Sequence, residues 1–207
     1  MSRIVCARCV RPDAYCLCSV IPSLSSRTRV VIFQHPDEVD HALNTARLAV
    51  LGLQNAQLLV GVRFNRDDWF LPGHVPYLAF PGPQALNAES LPPERQDMPR
   101  LLLVPDGTWR KARSLLHHNP DWADLPRLSL AHAPDSRYRV RHAQEKGALS
   151  TIEAITYILN ALEAPANFNA LLRPFDALID GQIAAMGEAA SMRHTREGLR
   201  TLAKQPG

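Results

Sequence analysis

Two hydrophobic periods alternate along this chain. Apolar and β-branched residues run almost without interruption through "RVVIFQH" (29–35), "AQLLVGVRF" (56–64) and "RLLLVPD" (100–106), as they do in buried strands. Shorter runs of the same kind stand at 77–80 ("YLAF") and 127–130 ("RLSL"), and "RYRVRH" (137–142) alternates like a strand. Between them the apolar positions return every three or four residues. This happens in "DHALNTARLAVLGL" (40–53) and again from Trp109 through Ala112, Leu115 and Leu116, which predicts helices and assigns the Trp109 ring to core packing. "STIEAITYILNALE" (150–163) and "NFNALLRPFDALIDGQIAAMGE" (167–188) are predicted as the closing helices, with Pro174 breaking or kinking the second.

Continuous apolar strands separated by helices predict an α/β fold, a mostly parallel sheet with helices on both faces. Ligands of such folds sit beyond the carboxyl ends of the strands. That rule draws the eye to "DGTW" at 106–109, where a strand hands over to a helix whose first N–H groups are free. By composition the chain divides into a cysteine-bearing segment (1–22), a main α/β domain (23–190) and a polar tail (191–207).

All four cysteines, Cys6, Cys9, Cys16 and Cys18, fall in the first segment as C-x2-C and C-x-C. The start of the chain lacks an apolar run with a small-residue cleavage site, and no stretch approaches the roughly 18 apolar residues of a membrane span. A cytosolic location is therefore expected, where clustered thiols hold metal more often than they pair as disulfides. Four thiolates close a tetrahedral shell around zinc and leave no position for water, so the expected role is structural.

The formal net charge of +3 is too small to demand a nucleic-acid partner. Cations do gather at 109–113, 136–146 and 193–200, which permits one. There is no G-x-G-x-x-G fingerprint and no G-x4-G-K-[ST] loop, so nicotinamide and nucleoside-triphosphate chemistry lack support.

"HPDE" (35–38), "NTARL" (44–48), "DGTW" with "RKAR" (106–113), "YRVR" (138–141) and "STIEA" (150–154) follow the cysteine cluster in one order. Together these features resemble the DTW-domain family, from Cys6 to about Ala161. The resemblance implies a SPOUT-like fold with a cofactor-holding knot near the carboxyl end. It implies transfer of the 3-amino-3-carboxypropyl group of S-adenosylmethionine to N3 of a tRNA uridine, with methylthioadenosine as by-product. A variable-loop uridine, tRNA position 47, is the expected acceptor. No membrane and no obligate protein partner are expected.

Removing the N3 proton requires a base or a positioning group, and Asp106 is the candidate. Asp106, Gly107, Thr108, Trp109, Ser150, Thr151 and Glu153 are expected around the donor, and Arg47, Arg110, Lys111, Arg139 and Arg141 against RNA. Local readings stand beside these, and Trp109 has core packing beside stacking on a base or adenine. Asp106 could cap the following helix, and Ser150 with Glu153 has the spacing of a capping box. Arg139 and Arg141 could line an exposed sheet face, and Lys111 could be a solvated charge. His35 reads as a turn residue. Two rival functions remain open: an RNA methyltransferase on a similar fold, and a non-catalytic zinc-containing RNA-binding module.

Overall fold

The computed structural model describes residues 4–93, 95–138 and 149–187. Six parallel strands carry the fold: β1 (Arg29–Gln34), β2 (Ala56–Val60), β3 (Val75–Ala79), β4 (Leu86–Asn87), β5 (Arg100–Asp106) and β6 (Arg127–Ser129). Their spatial order is β2-β1-β5-β3-β6-β4. The helices are α1 (Thr45–Gly52), α2 (Arg66–Trp69), α3 (Trp109–His118), α4 (Thr151–Leu162) and α5 (Arg173–Met186).

Strand alternation sorts the core into two layers. Val30, Ile32, Leu102, Val104 and Leu128 point to one face, where residues of α1, α4 and α5 cover them. Val31, Phe33, Leu101 and Leu103 point to the other, against Trp69 of α2, Leu115 of α3 and Trp122. Leu101, Leu102 and Leu103 are all fully buried, which explains why β5 reads as one unbroken apolar run. The expected parallel sheet with helices on both faces is therefore present.

Element boundaries differ from expectation in instructive places. The helix expected over 40–53 begins only at Thr45, because the Asn44 side chain accepts a hydrogen bond from the Arg47 N–H and caps it there. Before it, Pro36–Glu38 form a short 3-10 turn capped by His35, whose ring nitrogen accepts from the Asp37 N–H. The strand expected over 56–64 stops at Val60. Pro174 neither breaks nor kinks a helix: it occupies the first turn of α5, where a missing N–H costs nothing, and a 3-10 turn (Asn169–Leu172) precedes it. Arg137 and Tyr138 are not in a strand, and the rest of the strand expected over 137–142 lies outside the described residues. So does the polar tail.

Two connections leave the middle of the sheet in opposite directions. From β1 the chain crosses to β2 at one edge, and from β5 it crosses to β6 on the far side of β3. The gap between the ends of β1 and β5 is thus a topological switch point, the place where α/β sheets open a crevice.

Candidate active site

Parallel register sets Gln34 beside Asp106 at the ends of β1 and β5. Both have the parity of the α1/α4 face and both are buried, Gln34 completely and Asp106 to 7% exposure. The Gln34 amide donates to Asp106 Oδ2 at 2.8 Å and to Asn44 Oδ1 at 3.1 Å. Thr151 Oγ1 donates to Asp106 Oδ1. Asp106 is therefore held between a strand-end amide and a hydroxyl at the start of α4. It does not cap α3: that role belongs to Thr108, whose hydroxyl accepts from the Lys111 N–H.

Gly107 follows at φ +149°, a conformation other residues adopt only under strain. A Cβ there would come within 2.9 Å of Lys111 Cβ. The turn thus lets the lysine stem cross it closely, and Lys111 Nζ reaches Glu38 Oε1 at 2.7 Å, with Asp37 Oδ2 at 3.7 Å. The hydrogen bond to Glu38 holds the lysine above its ordinary pKa. Lys111 was expected on an RNA face with Arg110. Arg110 is exposed, whereas the Lys111 side chain is only 18% exposed and paired.

Two cavities flank this turn. One, about 470 Å³, is polar and is lined by Glu38, Asn44, Asp106, Lys111, Ser150 and Tyr138 among others. The second, about 580 Å³, is mostly apolar, with Phe80, Trp109, Leu130, Ala133 and Ile158 in its walls. Gly107, Leu149 and Thr151 line both. Trp109 is not a core residue as its helical face suggested. It is half-buried beside this second cavity, its ring edge-on to Phe80 at 5.5 Å. Of the residues expected at the donor, Asp106, Gly107, Thr108, Trp109, Ser150 and Thr151 all line one or both cavities.

Glu153 lies elsewhere. It is fully buried and does not line either cavity. Its carboxyl accepts from Ser150 N–H and Oγ, closing the capping box, and also from Ser136 Oγ and the Arg137 N–H at 2.7–2.9 Å. These bonds tie the chain before residue 139 to the start of α4. Arg139 and Arg141 lie outside the described residues. Arg47 is half-buried on α1 and lines a third cavity between α5 and the cysteine segment.

In that segment the four sulfur atoms all lie within 4.8 Å of one another, with Cys6–Cys18 at 3.6 Å and Cys9–Cys16 at 3.8 Å. Zinc–sulfur bonds of about 2.3 Å in a tetrahedron space the sulfurs about 3.8 Å apart, so the donor set fits zinc. Backbone N–H bonds from Cys9 and Arg8 pull the Cys6 thiol down to about 6, and burial pushes Cys18 up to about 12. The segment docks through Leu17 in the α1/α5 core and through the Arg11 guanidinium, which donates to the Ala42 carbonyl at 2.8 Å.

The family model of the DTW domain matches residues 3–183. The chain belongs to the DTW-domain family. Among curated proteins it is 31% identical over 194 residues to tRNA-uridine aminocarboxypropyltransferase 2 of Drosophila melanogaster, covering 86% of this chain and 74% of the relative. It is 29% identical over 204 residues to the protein of that name from Mus musculus, covering 94% and 67%. A further relative, tRNA-uridine aminocarboxypropyltransferase A of Arabidopsis thaliana, is 26% identical over 193 residues, covering 78% and 73%. No solved structure matches significantly. Among the described residues no helix is long and apolar enough to cross a membrane.

Proposed function

We propose that this protein transfers the 3-amino-3-carboxypropyl group of S-adenosylmethionine to N3 of a tRNA uridine, in the variable loop at tRNA position 47. The observation that carries the reading is the placement of Asp106. A nearly buried carboxyl, held by Gln34 and Thr151, lines the polar cavity next to Gly107, which that cavity shares with the apolar one. The names borne by DTW-domain relatives supply the reaction class.

The two cavities suit the two ends of such a donor. Phe80, Trp109 and Leu130 offer an apolar slot for the adenosyl part, and the polar cavity offers charged partners for the amino-acid end. When bound, the sulfonium supplies an electrophilic carbon and leaves as neutral methylthioadenosine, so the leaving group needs no metal. N3–C bond formation and C–S cleavage release one proton, from N3. Asp106 accepts or orients that proton, and Gln34 and Thr151 keep its carboxyl aimed as it does so. Cys6, Cys9, Cys16 and Cys18 would hold zinc as a structural tie, remote from this step.

The reading extends to a SPOUT-like sheet with a knotted cofactor loop, in keeping with family membership, and to a cytosolic location. It also keeps residues 1–22 as a zinc module, 23–190 as the catalytic domain and 191–207 as a tail. Arg47, Arg110, Arg139 and Arg141 are assigned to tRNA. Incubation with unmodified tRNA and S-adenosylmethionine labelled in the aminocarboxypropyl chain tests the reaction. Label in tRNA with stoichiometric methylthioadenosine is expected. S-adenosylhomocysteine as by-product would instead establish a methyltransferase, and tight tRNA binding without donor binding would establish a non-catalytic module.

A further inference from the structure

We infer that the Lys111–Glu38 ion pair reads the charged amino-acid head of the donor. This rests on the donor assigned above. The head is a zwitterion, and drawing it out of water requires a partner for each charge. Among the described residues lining the polar cavity, Lys111 supplies the one ammonium, no arginine takes part, and Glu38 and Asp106 supply the carboxylates. With Asp106 engaged by Gln34 and Thr151, Glu38 is the carboxylate left to meet an incoming ammonium.

The pair is more than surface decoration. Both side chains are only 17–18% exposed, and they bridge two separate elements, the turn after β1 and the first turn of α3. The backbone gives way for it: Gly107, next to Asp106, is where a Cβ would strike the lysine stem. Empty of donor, the two charges neutralise each other. On binding, Lys111 takes the donor carboxylate and Glu38 its ammonium, so one ion pair is exchanged for two without leaving any charge unmatched. The sulfonium carries three carbons. Fixing the head at this wall while the adenosyl part sits beyond Gly107 keeps the aminocarboxypropyl chain in the cavity that Asp106 lines.

Calorimetry with two donor-shaped ligands tests this. S-adenosylhomocysteine has the amino-acid head and methylthioadenosine lacks it. Wild-type protein is expected to prefer the former by about tenfold or more, the worth of a charge-assisted hydrogen bond. In Lys111→Met that preference should fall to within about threefold, while methylthioadenosine affinity stays unchanged. Lys111→Arg, which keeps the charge, should keep most of it, and Glu38→Gln should lose part of it. Retained methylthioadenosine binding certifies that each variant is folded. A wild-type preference that survives intact in Lys111→Met overturns this inference alone. Wild-type protein that binds neither ligand overturns the donor assignment, and this inference with it.

Discussion

Gln34 and Asp106 are neighbours because five register pairs of β1 and β5 precede them, whereas Cys6 and Cys18 are neighbours through a few local contacts. The strand-end corner inherits its geometry from a sheet whose central residues are fully buried on both faces. The cysteine segment has little to inherit. Its backbone is tied by short-range bonds such as Cys6 N–H to the Arg11 carbonyl and by the Val5–Pro12 bridge, and among its described residues only Cys9 and Leu17 are buried. One site is rigid because many distant residues agree, and its chemistry can be altered with the scaffold intact. With zinc bound as proposed, the other would depend on its ligand set and should fail as a unit, leaving the first site standing.

The largest expected effect is at the corner. Asp106→Asn keeps the size and the acceptor for Thr151 and removes the basicity. Single-turnover transfer, with enzyme and donor in excess, should fall by about 10²–10⁴-fold while donor affinity and unfolding midpoint persist. Raising the pH should restore part of the rate, since uridine then loses N3–H unaided. An unchanged rate would remove Asp106 as base, and a pH-independent defect would make it a positioning residue only.

Next comes the buried carboxyl that joins α4 to the chain before residue 139. Glu153→Ala strands several donors and opens a void, so urea unfolding should show a loss of about 3 kcal/mol. Glu153→Gln, which restores acceptor capacity at one oxygen, should lose less. If both variants unfold like the wild type, the corner does not depend on this anchor.

The cysteine segment should then separate from the corner. Cys16→Ser with Cys18→Ser should abolish zinc content by elemental analysis and weaken tRNA binding by about tenfold, roughly 1.4 kcal/mol. S-adenosylhomocysteine affinity should stay within about twofold. Loss of donor binding in a protein that keeps its circular dichroism would join the two regions into one site.

The smallest effect concerns Arg139 and Arg141. Replacing both with Ala should weaken tRNA binding alike for all sequences and reduce the slope of log affinity against log salt by about 2. An unchanged slope would take these arginines off the phosphate backbone.

The sheet and its two-sided cover were legible because β1 and β5 are buried on both faces and carry an uninterrupted apolar signature. The site was legible at Asp106 through the strand-to-helix rule. Its partners were harder. Gln34 is a lone polar residue closing an apolar strand, and only the β1–β5 register, which no single run of residues encodes, brings it to Asp106. Spacing alone cannot say which of Asp106 and Thr108 caps α3, because both stand within reach of its first turn. Trp109 has the period of a core residue, yet at the first position of its helix it lies beyond the carboxyl end of β5 and lines the second cavity. Lys111 sat in a basic run that reads as solvated, and its partner lies far back in the sequence at Glu38. Glu153 had the right local reading, the capping box, and its additional bonds to Ser136 and Arg137 are long-range.

Those additional bonds bear on how the molecule tolerates change in length. Arg137 and Ser150 are fastened to the same carboxyl, so the described chain ends on either side of residues 139–148 are held together at Glu153. Between two ends pinned in this way a change of length is cheap: each doubling of a flexible connection adds only about 0.6 kcal/mol of closure entropy. Insertions between residues 138 and 149 should therefore leave Asp106 and the register that holds it in place.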